Sequence, residues 1–80
     1  MLLETEKVDN SLIVKIKGEL DLLTAETFRN LVERAITREK AQHLILDLEH
    51  VDFIDSSGLG VILGRYRRIR EQGGNMAIVG

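Results

Sequence analysis

The sequence predicts a small α/β domain built on a mixed sheet, and three observations carry that reading. Strand-like and helix-like segments alternate along the chain with short joints between them. Two strand patterns separated by a tight turn open the chain, which is the sign of a hairpin. A strand, helix, strand succession follows, and that order calls for a parallel pairing reached by a crossover. No internal repeat or low-complexity linker interrupts the series, so the 80 residues are read as a single domain, 1–80.

Taken in order, Leu2 to Val8 reads as the first strand, and Asp9-Asn10 supplies the turn, because short polar side chains can bond nearby backbone. Leu12, Val14 and Ile16 then alternate with Ile13, Lys15 and Lys17, a strand buried mainly on one side. Gly18-Glu19-Leu20-Asp21 is expected to leave that strand. Thr24 is placed to cap a helix beginning near Ala25, its hydroxyl accepting from an N–H with no partner inside the helix. Phe28, Leu31, Val32, Ala35 and Ile36 recur at three-and-four spacing and predict one buried helical face, with Arg29, Glu33, Arg34 and Arg38 on its solvated side.

Leu44, Ile45, Leu46 and Leu48 form a nearly continuous apolar run and predict a central parallel strand. Val51, Phe53 and Ile54 return the chain to the core before Asp55-Ser56-Ser57-Gly58, where a second helix starts. Leu59, Ile62, Leu63, Tyr66 and Ile69 are its expected buried stripe, and Gln72-Gly73-Gly74-Asn75 ends it with residues suited to a left-handed exit. Met76 to Val79 resumes as a strand. A last strand with nothing to cover it would leave a sheet face wet, so C-terminal elements are expected to be missing after Gly80.

Composition removes several classes of function. Lys+Arg 11 against Asp+Glu 13 gives a net charge of -2, which is not the balance of a nucleic-acid polycation. Apolar residues at 44% beside 30% charged residues fit a folded chain and not a disordered one. The apolar runs fall far short of the roughly 20 residues that span a bilayer, so no membrane segment is expected. The opening Met1-Leu2-Leu3-Glu4 lacks the basic flank and apolar core of a secretory leader, and there is no cysteine framework, so a cytoplasmic setting is expected.

The chemistry concentrates at Asp55-Ser56-Ser57-Gly58. The first N–H groups of a helix lack internal partners and carry the positive end of its dipole, so an anion is welcome there. In the simpler reading Asp55, Ser56 or Ser57 caps the helix and Gly58 eases the turn. In the functional reading capping needs only one of the three polar side chains, which frees a serine on an exposed loop, while Gly58 and Gly60 leave room for another molecule to approach. A phosphoserine there would sit against the helix dipole without opposing it, so the modified domain should stay folded and signal by occluding a partner. Gly60 and Gly64, one turn apart, read as a smooth face for tight helix packing.

Catalytic readings find less support. Ile54 stands where a Gly-x-Ser-x-Gly elbow needs its first glycine, and no Gly-Lys-Ser/Thr is present. His43 and His50 flank a strand and read as surface residues, although a spatial meeting with Ser56 stays open. Asp47, Asp52 and Asp55 could hold Mg²⁺ in the manner of a receiver phosphoacceptor, or could simply cap turns. Arg65, Arg67, Arg68 and Arg70 read as a solvated face or a patch for an acidic partner. No cofactor, metal or enzymatic activity is expected.

Gly18-Glu19-Leu20-Asp21, Thr24-Ala25-Glu26-Thr27 and the block Asp55-Ser56-Ser57-Gly58-Leu59-Gly60-Val61-Ile62-Leu63-Gly64-Arg65-Tyr66 closely resemble the anti-sigma-factor antagonists of the STAS domain family, in particular its sporulation branch, the antagonists of anti-sigma F factors in spore-forming bacilli. The resemblance runs through the whole chain. It implies a STAS-type mixed sheet with helices packed on it, continued in the family by a further strand and helices. It also implies a partner switch. The unmodified antagonist binds an anti-sigma factor that is a serine kinase, releases the sigma factor and is phosphorylated with ATP; a PP2C-type phosphatase restores it. On this resemblance Ser56 is the phosphate acceptor, Ser57 its neighbour and helix cap, and Asp21 a contact for a basic residue of the kinase. Thr24, Asp55, Gly58, Leu59 and Gly60 complete the expected partner surface. A scaffold or sensor STAS domain, binding a protein or small ligand without a phosphorylation cycle, is the alternative.

Overall fold

The computed structural model describes all 80 residues as β1 (Leu2–Val8), β2 (Ser11–Leu20), α1 (Ala25–Glu39), β3 (His43–Ile54), α2 (Ser56–Glu71) and β4 (Met76–Val79). The four strands lie in chain order in one sheet. β1 and β2 form the expected antiparallel hairpin, with Asp9 in the left-handed region at its turn. β2 with β3, and β3 with β4, are parallel. The mixed sheet inferred from the order of segments is therefore the one observed.

Both helices pack on the same sheet face and against each other, because α1 contacts β2 and α2 while α2 contacts β3 and β4. Leu12, Val14 and Ile16 of β2 and Leu44 and Leu46 of β3 point into that layer and are fully buried. Phe28, Val32, Ala35 and Ile36 of α1 and Ile62 and Ile69 of α2 close over them, so removal of apolar surface from water is the main force holding the layers together.

Two expectations about strand ends are corrected. β2 does not leave the sheet at Gly18 but runs to Leu20, with Gly18 taking a positive φ of 103° that suits glycine. β3 is one 12-residue strand and not a short strand followed by a return. Along it, Lys15 pairs with Asp47 but Lys17 with His50, and Gly18 pairs with Val51 but Glu19 with Phe53. Each step inserts one extra residue on β3, a bulge that shifts which side chains face inward. Leu48, Val51 and Ile54, three residues apart, consequently pack on the core, and Phe53 is left half-exposed.

The helical stripes are corrected too. In α1 the buried face omits Leu31, which is exposed. In α2 it consists of Gly58, Ile62, Arg65 and Ile69, whereas Leu59, Leu63 and Tyr66 look outward. Arg65 sits inside because Glu33 of α1 pairs with it, and the same carboxylate accepts from Arg68 Nε at 2.8 Å. Glu33, Arg65 and Arg68 thus form an interhelical clamp and not the solvated faces expected of them. Burial pushes the Glu33 carboxyl up, but the hydrogen bonds and charges of Arg68 and Arg65 outweigh it and hold the group below its ordinary value.

At the far end of the domain, Gln72 donates from Nε2 to the carbonyls of Ala41 and Gln42 at 2.9 and 3.0 Å. His43 Nδ1 accepts from the Asn75 N–H at 3.0 Å. Gly73 makes the left-handed exit from α2 at a φ of 78°. These bonds fix where β4 begins.

Candidate functional site

The C-terminal ends of β2 and β3 lie side by side, with Leu20 registered against Ile54, so the chain segments that follow them emerge together. One is the loop Asp21–Thr24 leading into α1; the other is the junction Asp55–Gly58 opening α2. Sites in parallel sheets collect at this end because each crossover leaves the sheet there, bringing the loops after the strands together.

Asp55 joins the two segments. Its backbone is extended and it is the N-cap of α2, with Oδ1 accepting from the Gly58 N–H at 3.0 Å. Its other oxygen, Oδ2, accepts from the Leu22 N–H at 3.2 Å across 33 residues of sequence. Its own N–H donates to the Leu20 carbonyl at 3.3 Å. The cap is therefore Asp55, and the expectation that Ser57 serves as cap is corrected. A carboxylate matches both the helix dipole and a second amide, which a hydroxyl cannot do at once.

The two serines differ. Ser56 is exposed at the first position of α2, and Ser57 is half-buried beside it. With the helix already capped by Asp55, the Ser56 hydroxyl is not needed for the cap.

The loop after β2 is built by Asp21. Its Oδ1 accepts from the N–H groups of Leu23 and Thr24 at 3.0 and 3.2 Å. Its carbonyl accepts from the Thr24 and Ala25 N–H groups at 3.2 and 2.8 Å. Thr24 does not cap α1 through its side chain. Its hydroxyl instead donates to the Glu19 carbonyl at 2.9 Å and accepts from the Asp21 N–H at 3.0 Å, tying the strand end to the loop. With its hydroxyl committed to the strand end and the Asp21 amide, Thr24 has no side-chain bond left for the first turn of α1.

Gly58 is not open space for a docking molecule. It is buried, and a Cβ built on it would stand 2.2 Å from the Leu20 carbonyl oxygen. Only glycine lets the start of α2 approach β2 so closely. Gly60 and Gly64 reverse the other expectation: a Cβ at either would meet nothing within 4 Å, so neither is a helix-packing face. Leu59, at 55% exposure, stands beside Gly60 on the outer surface. Sequence reasoning missed Leu22 and Leu23, which are 75% and 88% exposed on the loop that Asp55 holds. Two adjacent leucines between a capping aspartate and a helix start were the available signal, since so short a loop cannot bury both.

The remaining candidates do not gather at this site. His43 begins β3 and Ser56 follows its end, so they lie at opposite ends of the strand. Asp47 Oδ1 accepts from the Glu49 N–H at 3.0 Å, at the first bulge of β3, and no group of three or more His, Cys, Asp or Glu residues could share a metal ion. Of the four arginines on α2, Arg65 and Arg68 are held by Glu33, Arg70 donates to Asn75 Oδ1 at 2.8 Å, and Arg67 alone faces solvent unpaired. A shallow depression at the far end is lined by Thr37, Lys40, Gln42, Arg68 and Gln72, of which Arg68 and Gln72 are already engaged with protein partners. No helix is long and apolar enough to cross a membrane.

Comparison with known proteins identifies the family and agrees with the fold. The family model described as STAS domain matches residues 3–80. The chain is similar to an anti-sigma F factor antagonist of Paenibacillus polymyxa, with 46% identity over 95% of this chain and 65% of the relative, so it spans just under two thirds of that protein. Among solved structures it resembles the anti-sigma factor antagonist SpoIIAA in its unphosphorylated form, with a TM-score of 0.78 and 29% identity over 96% of this chain and 71% of the other. It also resembles the Bacillus cell fate determinant SpoIIAA in the phosphorylated form, with a TM-score of 0.75 and 30% identity over 94% and 68% of the respective chains.

Proposed function

The chain belongs to the STAS domain family, and from that premise we propose that it is an anti-sigma-factor antagonist switched by phosphorylation of Ser56. In the unmodified form it binds an anti-sigma factor that is also a serine kinase, and so frees the sigma factor. The kinase transfers the γ-phosphoryl group of its own ATP to the Ser56 hydroxyl, the hydroxyl proton leaves, and ADP remains on the kinase. A PP2C-type phosphatase returns the serine by hydrolysis. This protein is the substrate of that cycle and works in the cytoplasm, in a sporulation programme.

One observation carries the reading: Ser56 is exposed at the start of α2 while Asp55, not a serine, serves as cap. Phosphate can be added there without removing a bond that the fold uses. The product, carrying about -1.5 to -2 charges, would lie at the positive end of the helix, so α2 should persist. The switch then acts by occlusion, through bulk and charge at the contact. The partner surface consists of Asp21, Thr24, Asp55, Ser56, Ser57, Leu59 and Gly60, with Gly58 shaping it from beneath. Asp21 meets a basic residue of the kinase through Oδ2, since Oδ1 is engaged within the loop. That SpoIIAA has been solved in both phosphorylated and unphosphorylated forms supports such a cycle.

Incubation with the kinase and ATP, followed by mass spectrometry, tests the reading. Phosphate on Ser56 alone is expected, and label elsewhere would defeat the assignment. Ser56→Ala should hold the partner in the presence of ATP, whereas Ser56→Asp should bind weakly while staying folded by circular dichroism. Normal release of the partner by Ser56→Ala would favour a scaffold or sensor module without a phosphorylation cycle.

A further inference from the structure

We propose that Asp55 is a positioning residue for docking, fixing the apolar tip Leu22–Leu23 to the start of α2 so that the anti-sigma partner meets one surface instead of two separate segments. The proposal rests on the partner-binding reading above. Its basis is the division of work between the two carboxylate oxygens. Oδ1 caps α2 through the Gly58 N–H, which is the one side-chain bond that an N-cap supplies to its helix. Oδ2 reaches the Leu22 N–H at 3.2 Å, in a neighbouring loop whose two leucines bury almost nothing within the domain.

An exposed apolar tip has little reason to be held in place for stability, since its side chains contribute little burial. It has a good reason if it must enter an apolar recess of a partner. A loose loop would lose its freedom on binding, and that entropy opposes association; a loop already held avoids the loss. The partner face is accordingly apolar opposite Leu22, Leu23 and Leu59 and lies within reach of the Ser56 hydroxyl. The acceptor serine directly follows the residue that holds the tip, so docking and modification share one frame.

Asp55→Asn separates the two bonds. Asparagine retains an acceptor that can cap the helix, but its amide nitrogen cannot accept from the Leu22 N–H. Amide hydrogen exchange should show Leu22 exchanging roughly tenfold faster and Gly58 unchanged, with the thermal midpoint unmoved. Binding to the anti-sigma F factor of Paenibacillus polymyxa loaded with ADP, measured by calorimetry, should weaken about tenfold. The Leu22→Ala, Leu23→Ala pair should weaken it by a similar factor, and adding Asp55→Asn to that pair should cost little more. Losses that multiply, unchanged binding by Asp55→Asn once Leu22 is freed, or fast Leu22 exchange in the unaltered chain would each overturn the proposal. So would concentration-dependent self-association abolished by the leucine pair, which would make a second copy the occupant. If the unaltered chain fails to bind this probe, the partner reading falls, while Leu22 exchange in Asp55→Asn still decides whether Asp55 holds the tip.

Discussion

The two helices share one sheet face but spend their apolar residues differently. α1 turns Phe28, Val32, Ala35 and Ile36 inward and leaves only Leu31 outside, at 38% exposure. α2 turns inward a glycine, an ion-paired arginine and two isoleucines, and leaves Leu59, Leu63 and Tyr66 outside at 55%, 55% and 44% exposure. α1 is therefore a support, whose form follows from the core. α2 is placed by close approach at Gly58 and by the clamp to Glu33, which leaves its larger apolar side chains on the outer face. The difference teaches that an apolar residue at helical spacing marks a face, and that only the neighbouring elements decide which face is inside.

Gly58 offers the strongest way to break this contrast. Gly58→Ala puts a Cβ against the Leu20 carbonyl, a backbone atom that cannot move aside, and should destabilise the chain by about 3 kcal/mol in urea unfolding. Glu33 comes next. Glu33→Ala leaves Arg65 buried without its counter-charge and should cost about 2 kcal/mol, a figure reduced because Glu33 is partly solvated. The folded-state pKa of Glu33 lies below its ordinary 4.5, so its contribution is complete above that value and disappears as pH falls through the lowered value. Thermal midpoints measured from pH 7 down to pH 3 should therefore fall less steeply for Glu33→Gln than for the unaltered chain.

Gly60→Ala should act in the opposite direction to Gly58→Ala. With nothing within 4 Å, the added methyl only improves helix propensity and should stabilise α2 by about 0.5 to 1 kcal/mol. The smallest stability effect is expected at Leu63. Leu63→Ser on the outer face should stay within about 0.5 kcal/mol of the unaltered chain by thermal melt. A loss like that of a core leucine would show that α2 does not leave that face free.

Much of the architecture was legible because local pattern and global fold agree. The hairpin, both helices and the parallel strands follow from Asp9-Asn10, the Phe28 to Ile36 spacing and the apolar run at Leu44. β3 was misread after Leu48, as a strand end followed by a return with Phe53 inside, because two bulges change an alternation of two into steps of three at Leu48, Val51 and Ile54. Bulges depend on a partner strand, so no local signal shows them. The same applies to Arg65, whose burial needs Glu33 32 residues away. At the site, the junction at Asp55 was visible as a helix start, but three polar residues in a row concealed which one caps it. The choice depends on Leu22, which a linear reading could not bring alongside.

The most direct measurement is a calorimetric titration of the ADP-loaded anti-sigma F factor with this chain before and after stoichiometric phosphorylation of Ser56, with circular dichroism recorded on both forms. Affinity should fall by at least about a hundredfold, a difference of about 2.8 kcal/mol, while the two spectra and melting curves overlay. Equal affinity in both states, or a loss that accompanies unfolding of α2, would contradict a switch that works by occluding an intact surface.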